Sequence, residues 1–353
     1  MGPVRVSTLV GVVGLWLVLV LPVPAAAQAP FSIGAITASP GSVASGSLQV
    51  APRGSDAGTS IPFTIVHGVT TGPVLALVAG THGMEYVPII ALQRLRTGID
   101  PKTLAGTVIL VHVANMPSFL GRTIYYSPAD GQNLNRVFPG KVDGTLSERI
   151  AETITREVIG RATHVVDLHC GDGNESLRPY TYWITTGDPK VAEAGRAMAL
   201  AFGLERIIVD GARPVDPAAS LYLSNTAITR GKPAITTETG GLAVVDNESI
   251  ALVERGVAGL LHHLKMRASG PPPVATPIWL GRNEVLRAGA TGVFYASVAR
   301  GQMVTKGARI GYVTDFHGSV VENVLAPFDG EILYVIATPP ITKGEPVAMI
   351  SSR

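Results

Sequence analysis

Short apolar runs and helical periods alternate along most of this chain. The stretches Ile61 to His67, Val74 to Ala79, Val108 to Ala114, His164 to Leu168, Tyr180 to Thr185, Ile207 to Val209 and Ala234 to Thr237 have the length and composition of strands. Between two of them, Leu146, Ile150, Ile154 and Val158 recur at a spacing of four, which draws one face of a helix. Thr145 with Glu148 forms a capping box at its start. Further helices are predicted over 85–96, 189–202, 217–230 and 248–266, with Gly231 stopping the third. Strands that alternate with helices predict an α/β fold, a mixed, largely parallel sheet flanked by helices, since parallel neighbours need a crossover between them.

At Gly270-Pro271-Pro272-Pro273 the pattern stops, because consecutive prolines forbid a helix and favour an extended linker. Beyond Ile278 the helical period is gone and the chain echoes itself. Val304-Thr-Lys-Gly-Ala-Arg-Ile-Gly-Tyr-Val-Thr314 resembles Ile341-Thr-Lys-Gly-Glu-Pro-Val-Ala-Met-Ile-Ser351, and Gly292 and Gly330 open the stretch before each. Two such units are expected to interlock into a small all-β domain resembling a barrel-sandwich. Lys306 and Lys343 sit beside glycines as turn residues do, with no flanking methionines, so a structural or substrate-gating module is preferred over a lipoyl or biotinyl carrier.

The first residues follow another logic. Arg5 precedes an uncharged apolar run from Val6 to Val20, Pro22 and Pro24 break it, and Ala25-Ala26-Ala27 follows. That is the order of a signal peptide, and the run is shorter than the roughly 20 residues of a spanning helix. Cleavage after Ala27 is expected, giving a secreted or periplasmic protein with no stable membrane insertion; an uncleaved anchor is the competing reading. The organisation predicted is signal peptide 1–27, α/β domain 28–268, Pro-rich linker 269–277 and β domain 278–353.

Composition narrows the function classes. Among 353 residues, 46% are hydrophobic and 15% charged, which argues against disorder and coiled coil. A formal net charge of +2 is far from the basic balance that a nucleic-acid footprint needs. The single cysteine, Cys170, has no intrachain disulfide partner, so an exported form must rely on packing.

Candidate chemistry collects where strands run out. His82 and Glu85 stand in Gly80-Thr-His-Gly-Met-Glu85 directly after the strand ending at Ala79, and His169 follows Val165-Val-Asp-Leu168. Two histidines and a glutamate are a catalytic zinc set that leaves a further coordination position open, with one Zn2+ per chain. Strand alternation puts Asp167 on the face of His169, where it can orient the imidazole from behind. Cys170 points the opposite way and reads as a small buried residue. Glu238 ends the strand Ala234 to Thr237 and is a natural general base. In open α/β sheets ligands bind at the carboxyl ends of strands, and His82, Asn115, His169 and Glu238 each lie at or just past such an end. The loop from Arg122 to Arg136 offers Arg136 for a substrate carboxylate, Asn135 as an added donor and Arg122 for a developing oxyanion. His67, His112 and His164 read as structural, His262 and His263 as solvated or capping residues at a helix end, and His317 as a weak candidate to reach the cleft from the second domain.

Gly80 to Glu85, Asn133-Leu-Asn-Arg136, Asp167-Leu-His169 and Thr237-Glu-Thr-Gly-Gly241, in this order and followed by a β domain, resemble the succinylglutamate desuccinylase/aspartoacylase family. The resemblance implies a zinc carboxypeptidase-like fold and zinc held by His82, Glu85 and His169. It also implies Glu238 as base and then acid, Arg122 polarising the scissile carbonyl, and Asn135 with Arg136 holding a substrate carboxylate. It implies hydrolysis of N-acyl amino acids to a carboxylate and an amine. Two departures stand out: Asn133 replaces an aspartate common in relatives, and Leu221 to Arg230 lacks their tyrosine-plus-arginine pattern, which leaves the acyl group open. The function expected is therefore an exported zinc amidohydrolase acting on a small amide substrate that bears a carboxylate. The alternatives are a zinc carboxypeptidase acting on peptides or cell-wall stems, with an extended groove in place of a roofed cleft, and a non-catalytic exported binding protein. Oligomeric state is open.

Overall fold

The computed structural model describes residues 1–4 and 28–353; the apolar run of the predicted leader and Ala27, before the expected cleavage, lie outside them. A nine-stranded sheet forms the centre. From one edge its strands are Ile278–Leu280, Arg206–Asp210, Tyr180–Ile184, Ala234–Glu238, His164–His169, Thr70–Ala79, Ala105–Val111, Thr59–His67 and Ser42–Val50. Five of the eight neighbouring pairs are parallel, so the sheet is mixed and largely parallel as the alternation predicts. Its middle strands are apolar on both faces because both faces are covered. Helices Tyr86–Gly98, Pro189–Phe202 and Asn247–His263 pack on one side around Leu77, Leu110, Val166 and Ile235. On the other side, helices Leu146–Ile154 and Leu223–Ile228 meet Ala76, Val78, Ile109 and Val165.

The capping box is present: the Thr145 side chain accepts the Glu148 N–H while the Glu148 carboxylate accepts the Thr145 N–H. The predicted helix over 217–230 is instead two pieces, Pro217–Ala219 and Leu223–Ile228. Between them Leu221 turns into the left-handed region at φ 64° and exchanges backbone hydrogen bonds with Phe138. Tertiary pairing therefore overrides the local helical preference. The strand Ser42–Val50 has no counterpart among the expected elements. Its sequence, SVASGSLQV, is too poor in large apolar residues to advertise a strand.

The C-terminal region is all β, two antiparallel sheets enclosing a separate core of Ile310, Val313, Ile332, Val347 and Ile350. The two echoing segments exchange strands between the sheets. Met303–Val304 and Pro346–Ser351 share one sheet, and Arg309–Thr314 and Pro340–Ile341 share the other. Gly307 (φ 83°) and Gly344 (φ 92°) occupy the corresponding left-handed turn positions, where a side chain would be strained. Ile278–Leu280, just past the prolines, joins the edge of the large sheet before the chain enters this region. In return Glu175–Leu177, from the α/β part, adds a strand to the C-terminal sheet against Tyr334 to Ile336. Among the described residues no helix is long and apolar enough to cross a membrane.

Candidate active site

The parallel pairing of Ala234–Glu238 with His164–His169 sets Glu238 directly opposite His169, and Ala79 is paired with Leu168 on the far side. Three strand ends thus converge where the sheet order switches direction, the crevice in which open α/β sheets bind ligands. From Ala79 the chain turns through Gly80 and His82. Gly83 is required there because a Cβ would collide with the backbone carbonyl of Ser118. Glu85 immediately precedes the helix Tyr86–Gly98.

His82, Glu85 and His169 present ligand atoms that all lie within 4.8 Å of one another. His82 Nδ1 is 2.7 Å from Glu85 Oε1 and His169 Nδ1 is 2.8 Å from Glu85 Oε2. Behind them, His82 Nε2 lies 3.1 Å from Asn133 Oδ1, and His169 Nε2 lies 2.9 Å from Asp167 Oδ1. Those outer acceptors favour the proton on each Nε2, so neutral imidazoles would aim two Nδ1 lone pairs at one carboxylate. Glu85 Oε2, buried, has no properly aligned hydrogen-bond donor. Three ligand atoms grouped this closely fit a divalent cation, and two imidazoles with one carboxylate are a donor set that zinc accepts.

The ionisable groups feel this crowding. Burial disfavours charge on His169, but Asp167 and Glu85 outweigh it and hold its pKa well above the usual imidazole range. His82 is raised in the same way, burial opposing and Glu85 prevailing. Glu85, despite burial, is held down to about 2 by the two imidazoles. Glu238 is the opposite case. Burial pushes its pKa well above the usual carboxylate range, and its Oε2 is buried with no partner. A carboxyl group so placed is suited to take up and return a proton.

These groups open into a cavity of about 390 Å³, lined among others by His82, Glu85, Arg136, Glu175 and Glu238. Arg136 is exposed, donates through Nη1 to the Asn135 carbonyl at 2.7 Å and stacks its guanidinium 4.6 Å from the Tyr222 ring centroid. The C-terminal region supplies Val285, Arg287, Tyr334, Pro346 and Met349, which roof the cavity.

The structure brings together His82, Glu85, His169, Asp167, Glu238 and Arg136. Asn135 is placed differently from the expectation of a substrate contact. It is buried, donates through Nδ2 to Asp167 Oδ2 at 3.1 Å, and accepts the Leu223 N–H at 2.9 Å, so it steadies Asp167 without lining the cavity. Arg122 is not brought to the cluster. It closes the short helix Met116–Gly121 in a left-handed conformation, exposed, and the cavity is lined without it. Asn115 is buried and caps that helix through the Ser118 N–H. His317 sits in an exposed turn away from the cavity lining. His67 and His112 are engaged with Thr107 and Thr64, respectively.

Several cavity residues have no distinct signal in the sequence. Tyr125 adopts φ 59°, its N–H donates to Asp172 Oδ2 at 3.0 Å, and its hydroxyl donates to Glu175 Oε1 at 2.8 Å. Burial raises Asp172 to about 6 and Glu175 to about 7. The one sequence cue for Asp172 and Glu175 is that they lie just past His169, where the chain leaves the strand end.

Comparison with known proteins bears on the family and the fold. A family model described as succinylglutamate desuccinylase/aspartoacylase catalytic domain matches residues 71–264. The N-alpha-acetyl-L-2,4-diaminobutyric acid deacetylase of Halomonas elongata is 33% identical over 299 residues, which are 82% of this chain and 85% of that one. The product-bound ectoine utilization protein EutE (DoeB) from Ruegeria pomeroyi superposes with a TM-score of 0.78 at 26% identity, covering 88% of this chain and 95% of that one. A succinylglutamate desuccinylase/aspartoacylase from Rhodobacter sphaeroides gives 0.75 at 25% identity, with 88% and 95% covered. The chain belongs to the succinylglutamate desuccinylase/aspartoacylase family.

Proposed function

We propose that this chain is an exported zinc-dependent amidohydrolase that removes the acyl group from a small N-acyl amino acid. The observation that carries the reading is the grouping of ligand atoms of His82, His169 and Glu85 within 4.8 Å of one another, with Glu238 and its unpartnered Oε2 in the same cavity. Zinc, when bound, would supply Lewis acidity that polarises an amide carbonyl and acidifies water. The chain's own residues do the rest. Glu238 accepts the proton of the attacking water and passes it to the leaving nitrogen as the C–N bond breaks, which is needed because an amide anion leaves poorly. Arg136 meets the substrate carboxylate with its outward N–H groups. Asp167, steadied by Asn135, fixes the His169 ring, and Asn133 does the same for His82.

The roof formed by Val285, Arg287, Tyr334 and Met349 favours a small substrate over a peptide lying along an open groove. The relative from Halomonas elongata is by name a deacetylase of an N-acetylated amino acid, which supports the same class of reaction here. Export rests on the order of Arg5, the apolar run 6–20 and Ala25-Ala26-Ala27. The test is to incubate purified zinc-loaded protein with N-acetyl and N-succinyl amino acids and with short peptides. Release of free amine from the first group and none from the peptides is expected; cleavage confined to peptides would overturn the reading. N-terminal sequencing of the protein recovered outside the cytoplasm should begin at Gln28.

A further inference from the structure

Glu175 is the cavity carboxylate for which the hydrolysis just described has no use. Its oxygens accept the Tyr125 hydroxyl at 2.8 Å and the Asp172 N–H at 3.0 Å. Each retains a lone pair for one more donor. No basic side chain among the described residues lies within ion-pair distance of it, although Arg136 and Arg287 line the same cavity. The Arg136 guanidinium faces Tyr222, and the Arg287 Nη1 donates to the Gly344 carbonyl at 2.9 Å.

The position of Glu175 is tightly determined. Its strand pairs with the C-terminal sheet, Glu175 opposite Ile336, and its carbonyl accepts the Leu242 N–H at 3.0 Å. Tyr125, which holds the carboxylate, is itself kept in the left-handed region by the buried Asp172. That conformation is strained for a tyrosine, and such strain gathers at sites that hold ligands. Tyr125, Tyr180, Tyr182 and Tyr334 line the same cavity, and aromatic walls around a carboxylate that has no basic partner suit an ammonium better than a further carboxylate.

We propose that Glu175 is a specificity-determining residue that receives a positively charged side chain of the substrate, so that the enzyme selects N-acyl amino acids carrying a second, free amine. Arg136 takes the α-carboxylate and Glu175 the distal ammonium, which fixes the substrate at both ends with the amide over Glu238 and the metal-ligand set. The inference rests on the reading of the chain as an N-acyl amino acid hydrolase.

The experiment measures kcat/KM of the zinc-loaded protein for the Nα-acetyl derivatives of 2,4-diaminobutyrate and ornithine. Each is set against its uncharged isostere, norvaline or norleucine, and against the anionic aspartate derivative. The cationic substrates should be preferred over their isosteres by about tenfold or more, the factor a charge-assisted hydrogen bond supplies. In Glu175→Gln that ratio should collapse toward unity. Equal use of neutral or anionic substrates by the unaltered protein, or an unchanged ratio in Glu175→Gln, would overturn the assignment while leaving the hydrolase reading intact. No release of amine from any of them would overturn both. Should the variant fail to fold, inhibition of the unaltered enzyme by free ornithine against free norleucine decides: stronger inhibition by ornithine supports the role, and equal inhibition refutes it.

Discussion

At the scale of single residues, the site is a set of carboxylates sorted by what faces each of them. Glu85 is held ionised by two imidazoles, Asp167 is fixed by Asn135 and His169, and Glu238 is half-buried with its Oε2 unpartnered. Glu238→Gln keeps the volume and removes proton transfer. It should retain metal while kcat falls by about a hundredfold or more. Equal turnover with full metal content would remove Glu238 from the chemistry. Glu175 makes a prediction about pH. Its folded pKa of about 7 lies above the ordinary 4.5, so between these values the folded chain holds a proton that the unfolded chain has released. Its contribution to stability is full below about pH 4.5 and is lost as the pH rises through about 7. Thermal melts of Glu175→Gln relative to the unaltered protein should therefore improve from about pH 5 to about pH 8, and a difference independent of pH would contradict the burial of this charge.

At the scale of elements, legibility in the sequence follows the range of the interaction. The capping box at Thr145 and Glu148 and the placement of Asp167 behind His169 are readable because they depend on neighbours within one helix turn or one strand step. Thr145→Ala should cost about 1 kcal/mol, seen as a lowered Tm with activity retained. The break in the helix expected over 217–230 is not readable, because it depends on Phe138, which pairs with Leu221 across the fold. That break is also what lets the Leu223 N–H reach Asn135. The sequence motif around Asn135 and Arg136 marks the loop correctly, but only the fold shows that Asn135 turns inward to Asp167 while Arg136 faces the cavity. Arg122 illustrates the same limit: being in that loop does not bring it to the cavity, because it closes the helix Met116–Gly121 on the exposed side while Tyr125 lines the wall.

At the scale of the whole molecule, the C-terminal β region is a fixed part of the cavity. The repeat in its sequence announces an interlocked β structure, but nothing local announces that Tyr334 and Met349 will face the strand ends of the other half. Leu177, Tyr180, Ile208, Leu280, Tyr334 and Met349 form one cluster across the junction. Beside it the buried Glu331 accepts Arg206 Nε at 2.8 Å and lies 3.2 Å from Arg178 Nε. Glu331→Ala leaves the buried Arg206 with only the exposed Glu205 as a partner, so it should destabilise by about 2 kcal/mol or more, measured by denaturant unfolding. Loss of under about 0.5 kcal/mol would show that this junction does not hold the roof.

Strand ends distant in sequence bring His82, Glu85 and His169 together, and we propose that they cage one divalent cation. Elemental analysis of the purified, folded protein tests it most directly, alongside His169→Ala and Glu85→Ala. About one zinc per chain is expected in the unaltered protein and loss of that zinc in both variants, with the fold preserved by circular dichroism. Zinc content near zero after exposure to excess metal, or equal content in all three proteins, would contradict it.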